Sequence, residues 1–415
     1  MHIYFRVSLF LLVSFLLHSC NLWEKKEAVL WTDRPEFVFY VEQFNASQDR
    51  YKIEAYYHES VAQKLTERGP VPDIVASSWL KNASIRVMFR PLDDLFKNES
   101  PGLASFYPRL LAQGIVDGRQ YLLPVSFNIP AMVFASGYSH FISNPFTISM
   151  DEIQKLSSDY NIETNGVYTR MGFSPSWNDD FLFIVVTLFN AGFREASPIA
   201  WDPAALERAV ILIQEWIDEA NSGIQADDEF VFKYLYDPEP RLISSGRILF
   251  ANMNSSDFFI MPAEQRQNLD FRWIAEMDSI PLDESAVSYG IHRHAKARNA
   301  AYAFTRWFFK ADTQRQLLDL SKSKRLNETS FGISGGFSGM RTVTEQIFPL
   351  FYPSLLGRMP PEAFLSPPAI LPHNWMDLKE RVVLPYLRDR IRHATRDEVR
   401  PLERRVADWH RLNRE

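Results

Sequence analysis

A single cysteine, Cys20, stands among 415 residues, so no internal disulfide can brace this chain. Basic charge is also short. With 45 Lys and Arg against 51 Asp and Glu, the net charge is −6 and the pI near 5.9, without the basic stripe that nucleic acid demands. The apolar run Val7–Leu17, behind Arg6, is too short to span a bilayer comfortably and reads as the core of a signal peptide over residues 1–19. Removing it leaves a charge of −6 − 1 = −7. Neither an HExxH helix nor a GxSxG elbow occurs, which removes two common hydrolase designs. The glycine-rich stretch Phe331–Met340 lacks the Gly-Lys-Ser/Thr ending of a phosphate loop and reads as an irregular loop. His292-Arg293-His294 has no Cys or carboxylate at ligand spacing, so no metal is expected.

What remains is a chain long enough for two or three domains, 46% hydrophobic and 23% charged, with 14% aromatics that include 10 Trp. Its first globular stretch alternates strand and helix. Ala28–Trp31 and Lys52–Tyr57 are β-branched and aromatic runs, and Pro72–Ala76 reads as a third strand. Between them, Pro35–Phe44 and Val61–Arg68 read as helices, the first opening on a Pro and the second stopped by Gly69-Pro70. This order predicts a doubly wound, mostly parallel sheet with ligands outside the carboxyl ends of its strands. Farther on, Asp377–Ile391 and Glu398–Leu412 read as amphipathic helices of mixed charge.

Gly118–Phe134, GRQYLLPVSFNIPAMVF, holds a turn, two short apolar runs and two prolines. A strand is expected to stop at Pro124, and a second run, Val125–Phe134, is broken by Pro130. Such a stretch fits an edge hairpin of one domain or a crossing between two lobes. The rest of the chain favours the crossing.

Several segments in order resemble the family 1 extracellular solute-binding proteins of ABC importers, the maltose-binding-protein-like group. They are Pro72–Ala76 (PDIVA), Pro91–Leu95 (PLDDL), the DGRQYLLP approach at 117–124 and Pro145–Ile153. Ile243–Phe250, Ala300–Phe304 and Asp312–Gln314 continue the series, so the resemblance spans roughly residues 28–320. Val133–Ser136 departs from the family's usual Tyr-Asn-Lys-Asp, so no contact is carried over from that Asn. Ahead of the globular part, Leu17-His18-Ser19-Cys20 resembles a bacterial lipobox, which implies acylation of Cys20, palmitate included, and a lipidated tether over 20–26.

The resemblance implies a two-lobe α/β periplasmic binding protein of type II. Lobe I would take residues 27–124 and 275–310, and lobe II 125–274 and 311–415, with Pro124–Phe127 and Phe271–Met277 as the crossings. It also implies a monomer without enzymatic activity or cofactor, lipid-anchored at a bacterial membrane in the periplasm or at the cell surface. Its partners would be a small solute, of which a carbohydrate is the first expectation, and ABC permease subunits. Three rival readings stand beside it: signalling to a sensor kinase or chemoreceptor, glycan hydrolysis by carboxylate pairs such as Asp179-Asp180 or Asp227-Asp228, and a surface interaction protein that has lost its ligand.

Placing the strand-end loops on both sides of the cleft gives a candidate site. Trp79 and Trp177 are expected to face each other across the opening, since sugars lay C–H faces on aromatic rings and need hydrogen bonds at their hydroxyl edges. Asp33, Arg34 and Glu59 would supply the polar edge from the first lobe. Asn178, Asn254, Asp257, Tyr289 and Trp375 would do so from the second lobe or the rim.

Overall fold

The computed structural model describes residues 27–96, 102–392 and 398–413. The signal segment, Cys20 and all but the last residue of the stretch up to Glu27 lie outside them.

Two mixed sheets organise the chain. The first runs in the order Phe337–Ser338, Leu123–Phe127, Val287–Ile291, Ile74–Ser77, Glu27–Thr32 and Lys52–Tyr57. Its three N-terminal strands are parallel, as the alternation predicts, and the later ones join antiparallel. Helix Glu36–Ser47 covers this sheet by burying Phe37, Tyr40, Val41 and Phe44, the i, i+3, i+4 and i+7 positions of one face. Phe37, Tyr40 and Phe44 meet Phe304 and Phe308 of the helix Arg298–Phe308 at ring separations of 5.3 to 5.5 Å.

The second sheet runs Phe250–Asn254, Pro130–Ala135, Leu269–Ile274 and Thr147–Ile148. Helix Pro203–Asn221 shares a buried core with Met132, Phe134 and Phe250 of this sheet. Pro203 opens that helix and Asp202 accepts from the Ala204 and Ala205 amides, so the first turn's free N–H groups are capped and the apolar side, including Trp216, stays buried.

The link between the sheets falls slightly later than the sequence suggests. Leu123–Phe127 pairs along its length within the first sheet, so the first crossing is Asn128-Ile129 and not Pro124–Phe127. Pro124 does not end its strand because the pairing register shifts at Val287/Ser288, beside the position where its missing N–H would leave a gap. On the return, Phe271–Trp273 still pairs with Ala131–Val133 of the second sheet and Ile274 with Ile148, so the chain leaves it only after Ile274. Asn128 ties the joint together. Its amide donates to the Gly335 carbonyl oxygen at 2.9 Å, its side-chain oxygen accepts from Ser255 Oγ at 2.7 Å, and its own carbonyl accepts the Asp283 N–H at 3.0 Å.

Phe331–Met340 is not a loose loop throughout, because Phe337–Ser338 forms the edge of the first sheet. That also differs from the expectation that everything beyond 310 goes with the second lobe. The glycines explain the close approach: a Cβ on Gly339 would lie 2.3 Å from the Pro124 carbonyl oxygen, and one on Gly336 2.7 Å from that of Phe127. Beyond it, Leu365–Ser366 pairs with Ile280–Pro281 beside the link, and the C-terminal helices pack on the second sheet's side.

Candidate functional site

A cavity of about 360 Å³ opens where the second sheet's strand ends meet the returning link. Asn252 and Asn254 reach it from the end of Phe250–Asn254, and Asn178, Asp180 and Phe183 from the start of helix Asp179–Leu188. Pro281–Glu284 of the link form another wall, with Pro368 and Lys379 from the C-terminal part.

Local chemistry fixes these side chains. Asn178 caps its helix, with Oδ1 accepting from the Phe181 amide at 3.0 Å and from Asn252 Nδ2 at 3.2 Å. Asn254 accepts from Ser255 N at 2.9 Å and donates through Nδ2 to Asp283 Oδ2 at 3.0 Å, which ties a second-sheet strand to the link. Asp283 Oδ1 also accepts from the Ser285 amide at 2.7 Å. Glu284 is held from two sides, by Trp375 Nε1 at 3.0 Å and Lys379 Nζ at 2.8 Å. The Lys379 ammonium lies over the Phe183 ring at 4.2 Å, so that face is already taken. Burial pushes the Glu239 carboxyl, on the cavity wall, up to about 7. Asp257 is raised first by burial and then by the neighbouring Asp180 and Asp283 charges.

Of the residues expected at the site, Asn178, Asn254 and Asp257 come together here. Asp33 and Arg34 stand one layer behind it. Arg34 Nη2 donates to Ser78 Oγ at 2.6 Å and to the Ser285 carbonyl oxygen at 3.3 Å, while Asp33 accepts from the Ser78 amide at 3.2 Å. Trp79, in a left-handed conformation at φ 62°, lines a separate small hollow on the other side of Glu284 and Pro368. Trp177 does not face it: its ring stacks on Phe230 at 5.5 Å and 10°. Glu59 is exposed on the turn before Val61–Thr66, away from the cavity. Tyr289 and Trp375 are core residues. Tyr289 is fully buried, with its hydroxyl 2.7 Å from Thr305 Oγ1, and Trp375 is fully buried between Phe183 and Phe193.

Sequence reasoning missed Asn252, Glu239, Asp283, Glu284 and Lys379. Asn252 carried one usable signal, since it lies two positions before Asn254 and therefore on the same face of the strand. Among the described residues no group of three or more His, Cys, Asp or Glu is arranged to hold a metal ion. No helix there is long and apolar enough to cross a membrane.

No family model and no curated protein matches this chain. Solved structures do. The bacterial solute receptor AcbH, described as exclusive for β-D-galactopyranose, is 11% identical over 93% of this chain and 99% of its own, with a TM-score of 0.62. A maltose-bound MalE3 of T. maritima is 12% identical over the same shares, with a TM-score of 0.60. The GacH receptor of Streptomyces glaucescens, solved unliganded and with acarbose, is 14% identical over 93% of this chain and 97% of its own, with a TM-score of 0.59. The likeness extends over nearly the whole of each chain and shows the fold: the two-lobe α/β architecture of solute receptors.

Proposed function

We propose that this protein captures a small solute, a carbohydrate, in the cavity between the second sheet and the returning link, and delivers it to an ABC permease. One observation carries the reading. The cavity is walled jointly by second-sheet residues and by Pro281–Glu284, which leads into the first sheet, so a ligand there touches both moving parts. The fold shared with receptors solved with maltose and acarbose supports the solute class. Lobe I then comprises about 27–127 with 286–340, lobe II about 130–274 with the C-terminal helices, and Asn128-Ile129 and 275–285 are the hinges. The carboxylates serve to bind, and no hydrolytic step is assigned to them.

The lipobox-like Leu17–Cys20 supports a lipid anchor at Cys20 on a bacterial membrane, with the lobes facing the periplasm or the outside. Cys20→Ala is expected to leave an unprocessed or soluble form in detergent partitioning, and entry of the processed variant into the detergent phase contradicts the anchor. Solute capture is tested by a thermal-shift screen against mono- and oligosaccharides, polyols and glycerophosphodiesters. A saturable rise in melting temperature with a sugar is the expected result. Turnover of a glycan by the purified protein is the result that contradicts a receptor.

A further inference from the structure

Among the described residues, none of the first lobe lines the solute cavity, whose walls come from the second lobe, the link and Pro368. The first lobe meets the rest of the chain elsewhere, along the segment 365–372. One end of that segment pairs with Ile280–Pro281 of the link, and at the other end Leu371 enters the second lobe's core. Pro367 and Pro368 have no N–H, so the segment offers its neighbours carbonyl oxygens. First-lobe side chains take two of them. Arg109 Nη1 donates to the Leu365 carbonyl at 3.1 Å and Gln113 Nε2 to that of Pro368 at 2.6 Å. Lys81 Nζ donates to Gln113 Oε1 at 2.6 Å, which turns the NH₂ of that amide toward Pro368.

A second contact joins the lobes directly. Arg194 and Ala200 exchange backbone hydrogen bonds at 2.9 and 3.1 Å, closing the base of the loop that carries Glu195, and the Glu195 amide donates to the Ile370 carbonyl at 2.7 Å. So held, the Glu195 carboxylate accepts the Ala83 N–H of the first lobe with both oxygens, at 2.9 and 3.0 Å. That N–H opens the short helix Ala83–Arg86 and stands outside its ladder. The cap Asn82 gives its side-chain oxygen to the Ile85 N–H at 3.1 Å and the Ser84 hydroxyl at 2.7 Å, so Ala83 is left for Glu195.

We propose that the Glu195–Ala83 and Gln113–Pro368 contacts form a latch, which closes the two lobes on each other without the help of a solute. Ala83, Gln113 and Glu195 all stand outside the cavity wall, so the latch draws on this chain's own groups alone. Its use rests on the reading of the cavity as the solute site: solute enters while the latch is parted, and the fraction of molecules in that state scales the apparent affinity.

The test needs no sugar. Small-angle scattering of the purified protein is compared for the parent, Glu195→Ala, Gln113→Ala and the double variant, with far-UV circular dichroism to show that each is folded. The parent is expected to have the smallest radius of gyration and the double variant the largest. Glu195→Gln, which keeps the shape and one accepting oxygen, is expected to fall between parent and Glu195→Ala, and it replaces the truncation if that unfolds. Hydrogen exchange reads the coupling. Gln113→Ala leaves Glu195 and Ala83 untouched, yet is expected to speed amide exchange around Ala83 several-fold, because the two contacts part together. Equal radii in the parent and the double variant overturn the latch. Unchanged exchange around Ala83 in Gln113→Ala overturns it as well, since the contacts then open independently. Either failure leaves solute capture standing, because the thermal-shift screen tests that separately.

Discussion

Lys379 Nζ lies 2.8 Å from Glu284 Oε2, joining the C-terminal part of the chain to the link between the two sheets across 95 positions of sequence. Both side chains are close to buried, at 9% and 11% exposure, and Trp375 Nε1 holds the other Glu284 oxygen. The pair therefore fixes one wall of the cavity from a distance that no local pattern spans.

Removing one partner should expose that role. Lys379→Met is expected to cost about 3–5 kcal/mol of stability, because it leaves the Glu284 charge buried without its cation. The double variant with Glu284→Gln should recover most of the loss, since Gln still accepts from Trp375. Denaturant unfolding of the set checks this. A single variant as stable as the parent contradicts it.

Trp177→Ala should act on the fold and not on the site. The ring stacks on Phe230 and meets Phe173 edge-on at 5.9 Å, so its loss is expected to cost about 3 kcal/mol, the lower end for a large aromatic that is half-buried here. Solute affinity should change less than about twofold. Lost affinity at an unchanged melting temperature would return Trp177 to the binding surface.

Asp227 should make stability depend on pH. Burial pushes its carboxyl up to about 7, against the hydrogen bonds of Ser174, Ser176 and Asn221 that favour the charged form, with Asp228 adding to the rise. The unfolded chain releases this proton near 3.8, so the folded state binds the extra proton between the two values. The contribution is fully present below about 3.8 and is lost as pH rises toward about 7, at up to about 1.4 kcal/mol per pH unit. Melting curves across that interval should show a shallower decline for Asp227→Asn than for the parent. Parallel slopes would place the proton elsewhere, for instance on Glu239.

How much of this was legible in the sequence follows from how local each signal is. Lys52–Tyr57 is a strand over the residues its composition marks, and Asn178 and Asn254 were legible as polar residues just ahead of helices, where both serve as caps. Pro124 misled because a proline is an ordinary strand stop, whereas here a register shift in the partner strand accommodates it. Tyr289 and Trp375 misled for another reason: the residue types that stack on sugars also fill cores, and only packing tells them apart. Glu284 and Lys379 carry no local mark, since what brings them together is the pairing of Leu365–Ser366 with Ile280–Pro281 and the helices that follow.

On this reading the solute sits between the second sheet and the link. Hydrogen exchange read by mass spectrometry, with and without a saturating sugar found by the screen, tests it most directly. Slower exchange is expected in three separate segments, around 178–187, 252–261 and 281–285, together with the hinge at Asn128-Ile129. Protection confined to the hollow beside Trp79, with those segments unchanged, would contradict it.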